Sequence, residues 1–241
     1  MTTARLVLSP HPDDAVWSIG GCLAGWRDRG CPVTVLTVFD GAGQRTTEGW
    51  RRIADPGVRR RENEVALARL RVGGVSLGLP DAALRTGYEE RDRLFGPPAD
   101  GDAPLVARIA AGITASLSPG ARLYAPVAAG DHVDHRLVRS AVESAPVLAA
   151  RTVWYEDFPY RLSARHTTGL HPVWHRVDMG DWVVTARCYA SQAAALFGSP
   201  DRLDAALRSR ARRHGAAAGF AYAVRLWFPR SDELPKIPQM G

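Results

Sequence analysis

Leu6-Val7-Leu8-Ser9-Pro10-His11-Pro12-Asp13-Asp14 stands close to the start of the chain. A short, unbroken apolar run ends abruptly in two prolines, a histidine and two adjacent acids. The apolar part, from Arg5 to Leu8, has the pattern of a strand buried on both faces, as in a parallel sheet. Pro12 fixes its own φ and restricts His11, so the turn that follows is stiff. The pattern reads as a first core strand that delivers His-Pro-Asp-Asp to one point.

Outward from that stretch, strand and helix patterns alternate. Val16 to Arg29 reads as a helix stopped by Gly30. Val33 to Phe39, "VTVLTVF", is rich in β-branched residues and reads as the second strand. A polar, Gly-bearing loop from Asp40 to Gly57 follows, then a helix from Arg59 to Leu70 and a strand from Val75 to Leu79. Residues Arg85 to Ala103 read as a charged, Pro-bearing loop and a candidate lid. Further helices are expected over Leu105–Leu117, Asp134–Ala149, Trp182–Leu196 and Arg202–Arg213. Strands are expected over Arg122–Ala125, Thr152–Glu156 and Phe220–Phe228, with a loose tail beyond Pro229.

Alternation of this kind implies βαβ units. The expected fold is α/β: one Rossmann-like three-layer sandwich over residues 1–241, with a mostly parallel sheet and helices on both faces. Ligands of such sheets bind beyond the carboxyl ends of the strands. "SPHPDD", "FDGAG" (Phe39 to Gly43), "LPD" (Leu79 to Asp81) and "APVAAGDHVDH" (Ala125 to His135) are all expected at that rim.

Composition narrows the function. The chain has 241 residues and a formal charge of +6, with Lys236 the one lysine. No dense basic run with interleaved aromatics points to nucleic acid. No apolar stretch reaches the roughly 18–20 residues that span a bilayer, and "MTTARLVLSP" shows no charged n-region followed by an apolar h-region and a small-residue cleavage site. Cys22, Cys31 and Cys188 form neither a CxxC pair nor an even disulfide set. These features read as a soluble, cytoplasmic protein. No G-x-G-x-x-G follows the first strand and no G-x-S-x-G elbow is present, which argues against dinucleotide binding and a serine hydrolase.

The chemistry lies in two loops. Asp13 and Asp14 are adjacent, so their side chains point in different directions. His132 and His135 are three apart, which places both on one face of a helical turn. Two histidines and a carboxylate with open positions suit a catalytic zinc or similar divalent ion. Such an ion brings water to a pKa near 7. A neighbouring carboxylate can take its proton, and the remaining histidine can stabilise an oxyanion or protonate a leaving amine.

"PHPDD" with a downstream "HVDH" resembles the PIG-L (LmbE-like) metal-dependent N-deacetylases. "RRRENE" (Arg59 to Glu64), "LGLPDA" (Leu77 to Ala82) and "YASQ" (Tyr189 to Gln192) support the resemblance. It implies that His11, Asp14 and His135 hold zinc, that Asp13 is the general base, and that His132 binds the oxyanion or acts as acid. It implies removal of an N-acetyl or related N-acyl group from a small amino-sugar-containing molecule, with natural-product glycosides suggested by "HPDDA". The chain departs from the family pattern at Ala15, Val133 and Gly130. Gly130 stands where some members carry a tyrosine. Alternatives are an amidase acting on a thiol conjugate or other non-sugar amide, and a non-catalytic metal-binding protein that inherited the site.

Around this set, Asp81 reads either as a carboxylate that orients a ligating histidine or as a turn cap. Asp134 is expected to cap the following helix. Arg59, Arg60 and Arg61 read as a solvated face, with Arg59 retained as a substrate-facing candidate. Tyr160 in "WYEDFPY" is a candidate to stack on a sugar, whereas Trp154 and Tyr155 read as strand core. His166, His171, His175 and His214 are expected outside the site.

Overall fold

The structure, a computed structural model, describes residues 2–43 and 54–230. The centre of the expected 40–57 loop and the expected loose tail lie outside the described residues. Strands β1 (Arg5–Ser9), β2 (Val33–Gly41), β3 (Gly73–Pro80), β4 (Arg122–Pro126), β5 (Thr152–Tyr155), β6 (Leu170–Arg176) and β7 (Ala223–Pro229) form one sheet, in the order β3-β2-β1-β4-β5-β7-β6. β1 to β5 pair parallel, while β7 runs antiparallel to both β5 and β6. The strand order reverses direction at β1, which lies between β2 and β4. A crevice opens beyond the carboxyl ends at such a reversal.

The described helices are α1 (Asp14–Asp28), α2 (Pro56–Leu70), α3 (Ala103–Ser116), α4 (Val133–Glu143), α5 (Pro146–Ala149), α6 (Gly180–Ala186), α7 (Ala190–Phe197) and α8 (Pro200–Ala216). Alternation along β1 divides them into two layers. Val7 packs in the core that holds α1, α2, α6, α7 and α8, whereas Leu6 and Leu8 pack in the core that holds α3, α4 and α5. This is the three-layer α/β sandwich expected from the sequence. Among the described residues, no helix is long and apolar enough to cross a membrane.

Close backbone approach locks α1 to α6. A Cβ on Gly20 would lie 2.4 Å from Cδ1 of Trp182. The Trp182 indole donates to the Val16 carbonyl at 2.7 Å, next to a bend at Ile19 (φ −138°). The helix that begins with Asp14 is thereby held at a defined angle over the sheet.

Three expectations need correction. The helix read over Asp134–Ala149 is two, α4 and α5, because Pro146 has no N–H to continue the first and keeps Ala145 extended. The helix read over Trp182–Leu196 also divides, into α6 and α7. The break at Tyr189 turns "YASQ" onto α2: Tyr189 donates to Asn63 at 2.9 Å, and the Ser191 amide and hydroxyl donate to Glu62 at 2.7 and 2.6 Å. Strand β6 was not anticipated. Pro172 lies in it, and a proline is tolerated there because β6 is the sheet edge.

Glu156 anchors the antiparallel end. Its carboxylate accepts from Arg225 and Trp227 and faces Arg210 and His214. Burial alone would raise its pKa, but His214, Arg225 and Arg210 outweigh burial and hold it down at about 2. A depressed carboxylate pKa stabilises the fold above the unfolded value of about 4.3, and that contribution is lost as the pH falls toward about 2. Glu156→Gln is therefore expected to cost about 3 kcal/mol at pH 7, with the difference shrinking across that acid window. Urea unfolding of both proteins at pH 7 and pH 3 checks it.

Candidate metal centre

The first loop is built by its own short-range bonds. The Ser9 hydroxyl donates to the His11 carbonyl at 2.5 Å and accepts from the Ala15 amide at 2.9 Å. Asp14 Oδ2 accepts from the His11 amide at 2.7 Å. Asp14 opens α1, where a carboxylate is favoured by the helix dipole. The β4–α4 loop faces it across the switch point. His132 is the N-cap of α4, with Nδ1 accepting from the Asp134 amide at 3.3 Å, and His135 follows one turn later.

Five expected residues meet here. The rings of His11, His132 and His135 lie 5.0–5.3 Å apart, centroid to centroid. Asp14 Oδ2 is 3.2 Å from His11 Nδ1 and 3.3 Å from His135 Nε2. His11, Asp13, Asp14 and His132 line one cavity of about 360 Å³. Its walls also include Asp81, Arg59, Tyr160 and Gln192, and an apolar side of Trp17, Leu94, Phe95, Phe158 and Leu196. "FDGAG" does not reach the cavity: Asp40 is occupied by Ser76, Gly78 and Arg60.

Around the centre, the structure revises several readings. Arg59 is not on a solvated face. It is buried, donating to Asp13 Oδ1 at 2.7 Å and to Asp81 Oδ2 at 2.9 Å. Asp81 Oδ1 caps a turn at Ala83, and Oδ2 lies 3.4 Å from His11 Nε2, which is hydrogen-bonded to Asp134. Asp134 does not cap α4. It lies inside the helix and accepts from His11 Nε2 (2.9 Å), the Ala82 amide (2.9 Å) and Arg85 (2.7 Å). The 85–103 segment supplies Arg91, Leu94 and Phe95 to the cavity wall. It is tied down by Arg85 and Tyr88 on Asp102 and by Arg136 on the Gly96 carbonyl.

Asp157 escaped the sequence reading. Fully buried, it meets His135 Nδ1 at 2.5 Å and accepts from the Ala129 amide at 3.0 Å. The available signal was its place just past β5, the strand beside β4, at the same end of the sheet. His166, His171, His175 and His214 lie outside this cavity, as expected.

The donor set fits a divalent cation. His135 Nε2 is buried, has no hydrogen-bond partner, and sits beside Asp14 and His11. His11, Asp14 and His135 offer atoms within 4.8 Å of one another. A second set, His11, His132 and Asp134, meets the same distance, but Asp134 already accepts from three donors, His11 itself among them. Charge agrees with the first set. Burial disfavours a cationic His11, yet the carboxylates of Asp81, Asp134 and Asp14 raise its pKa well above the imidazole range. Burial likewise opposes a charged His135, but Asp14 and Asp157 bring it to about 9. His132 goes the other way: burial and the neighbouring His11 lower it to about 3. The acidic cluster thus draws positive charge to the two imidazoles that a metal ion would occupy in place of protons.

Asp157 orients His135 in the manner of carboxylates that stand behind metal-ligating imidazoles. Asp157→Asn is expected to weaken metal binding by about 10–100-fold. Competition with a chromogenic chelator measures it, and an unchanged affinity would show that His135 needs no such support.

Sheet, switch point and donor set together define an α/β protein with a candidate hydrolytic metal centre. The chain belongs to the PIG-L family, GlcNAc-PI de-N-acetylase, whose profile matches residues 6–146. It is 41% identical over 170 residues to a 2'-N-acetylparomamine deacetylase from Streptomyces fradiae. That match covers 64% of this chain and 57% of that protein, so the chain spans little more than half the length of the curated relative. Two solved structures share the fold over nearly the whole chain. The zinc-inhibited form of teicoplanin deacetylase Orf2 matches with a TM-score of 0.77 at 26% identity, covering 96% of this chain and 100% of that one. The A40926 pseudoaglycone deacetylase Dbv21 matches with a TM-score of 0.71 at 28% identity, covering 97% and 100%.

Proposed function

We propose that the protein is a zinc-dependent N-deacetylase that removes an N-acetyl, or related N-acyl, group from an amino-sugar-containing natural-product intermediate. The observation that carries this reading is the unpartnered His135 Nε2, set with His11 and Asp14 beside a carboxylate, Asp13, that stays outside the ligand set. Residues 1–241 are read as one such domain, since a single sheet and its two cores hold all the described elements. The three unpaired cysteines suit a reducing compartment, which supports a cytoplasmic location.

His11, Asp14 and His135 would hold the ion. When bound, it supplies Lewis acidity toward the acyl oxygen and acidifies the attacking water. Arg59 engages Oδ1 of Asp13, which leaves Oδ2 as the base that takes the proton from water. His132 accepts at Nδ1 from a backbone amide, so a neutral His132 carries its proton on Nε2 and can donate it to the developing oxyanion. This assigns His132 to oxyanion binding. The proton held by Asp13 then passes to the leaving amine. Asp134 and Asp157 hold the His11 and His135 imidazoles from behind.

Amine release from 2'-N-acetylparomamine and a panel of N-acetylglucosaminyl compounds tests the reading. Apo protein is compared with protein loaded with zinc, cobalt or manganese. Turnover that appears only with metal supports it. Stoichiometric metal with no amine from any sugar would overturn it.

A further inference from the structure

The β4–α4 loop that carries His132 is held in an unfavourable backbone conformation. Ala128, Gly130 and Asp131 all have positive φ, at 57°, 78° and 62°. For the two non-glycine residues this is strained backbone. Asp157 restrains the loop through the Ala129 amide, and Arg165 and His166 restrain it through Asp131.

The strained loop makes room for Tyr160. A Cβ on Gly130 would lie 2.5 Å from Cδ1 of Tyr160 and 2.7 Å from its Cβ and Cγ, so glycine is required by contact as well as by φ. The Tyr160 ring fills that notch. It stands edge-on to His135, centroids 5.3 Å apart at 80°, and 6.4 Å from His132, on the wall of the same cavity. Elsewhere in the core, tyrosine hydroxyls have partners: Tyr88 on Asp102, Tyr155 on the Leu8 carbonyl, Tyr189 on Asn63. No hydrogen bond joins the Tyr160 hydroxyl to any described residue. Tyr160 is half-buried on the cavity wall, so a molecule that fills the cavity is in a position to partner its hydroxyl.

We propose that Tyr160 is a further substrate-contacting residue, whose hydroxyl donates to the acyl oxygen beside His132, and that Gly130 admits it. This inference rests on the deacetylase reading above. A second donor at that oxygen matters because charge develops there. It also gives a use to a loop that holds Ala128, Gly130 and Asp131 at positive φ.

Tyr160→Phe keeps the ring and removes the donor. On 2'-N-acetylparomamine it is expected to lower kcat by about 10²-fold, with KM, zinc stoichiometry and Tm close to those of the parent protein. Gly130→Ala pushes the ring aside and should cost at least as much. The double variant should lose no more than the worse single one, since both act through one contact. A second readout needs no turnover. The methylphosphonamidate of glucosamine mimics the tetrahedral intermediate, and calorimetry should show it binding at least about tenfold more weakly to Tyr160→Phe, with glucosamine itself unaffected. Unchanged kcat, a rise in KM alone, or equal phosphonamidate affinity would each overturn the proposal. A parent protein that cleaves no amide but binds the phosphonamidate with this Tyr160 dependence would sink the deacetylase reading and keep the contact.

Discussion

Asp13→Asn is expected to lower amine release by about 10²–10⁴-fold, the range for losing a positioned general base, while zinc still binds one per chain. The two halves of this result have separate causes. Asparagine is nearly isosteric and can still accept from Arg59, so the turn between β1 and α1 should persist. The proposed ligand set His11, Asp14 and His135 does not include Asp13, so metal affinity should be retained. What disappears is the carboxylate oxygen left over after Arg59 has taken Oδ1. Initial rates on the best substrate of the panel, together with zinc content by mass spectrometry, measure both halves. Loss of zinc in parallel with activity would make Asp13 a ligand and require another base.

His135→Ala is expected to remove measurable zinc binding, a loss of more than about 10²-fold. That exceeds the 10–100-fold cost of removing an orienting partner such as Asp157, because the donor atom itself is gone. The same change leaves Asp14 and the fully buried Asp157 facing each other without the imidazole between them. Breaking a buried pair in this way costs about 3–5 kcal/mol, so the apo protein should unfold at clearly lower urea concentration. Calorimetric zinc titration and urea unfolding separate the two effects. Stoichiometric zinc in the variant would shift the ion to the His11, His132 and Asp134 set.

Much of this centre was legible in one dimension. "SPHPDD" declares itself because proline chemistry and neighbouring acids act over three or four residues. The bonds from Ser9 to His11 and Ala15, and from His11 to Asp14, span no more than six residues. The spacing of His132 and His135 is a helix turn, and α4 starts where that spacing requires. The β-branched run of β2 and the apolar run of β1 announced buried parallel strands. Both loops follow parallel strands, so both fall at one rim, beyond the strands' carboxyl ends.

What the sequence did not disclose involves partners distant along the chain. Arg59 looks like one of three exposed arginines, and only the approach of α2 to the turns after β1 and β3 buries it between Asp13 and Asp81. Asp134 looks like a helix cap because that is what an acid at a helix start does when nothing else is near. It is drawn to His11, 123 residues away, because β1 and β4 are neighbours in the sheet. Asp157 and Tyr160 follow β5, whose place beside β4 no local pattern states. Short-range sterics and periodicity therefore determined the elements, the ligand motifs and their end of the sheet. Strand order and helix packing together decided which buried charges would pair, because an ion pair inside a protein forms with whatever packing brings within about 4 Å, irrespective of sequence separation.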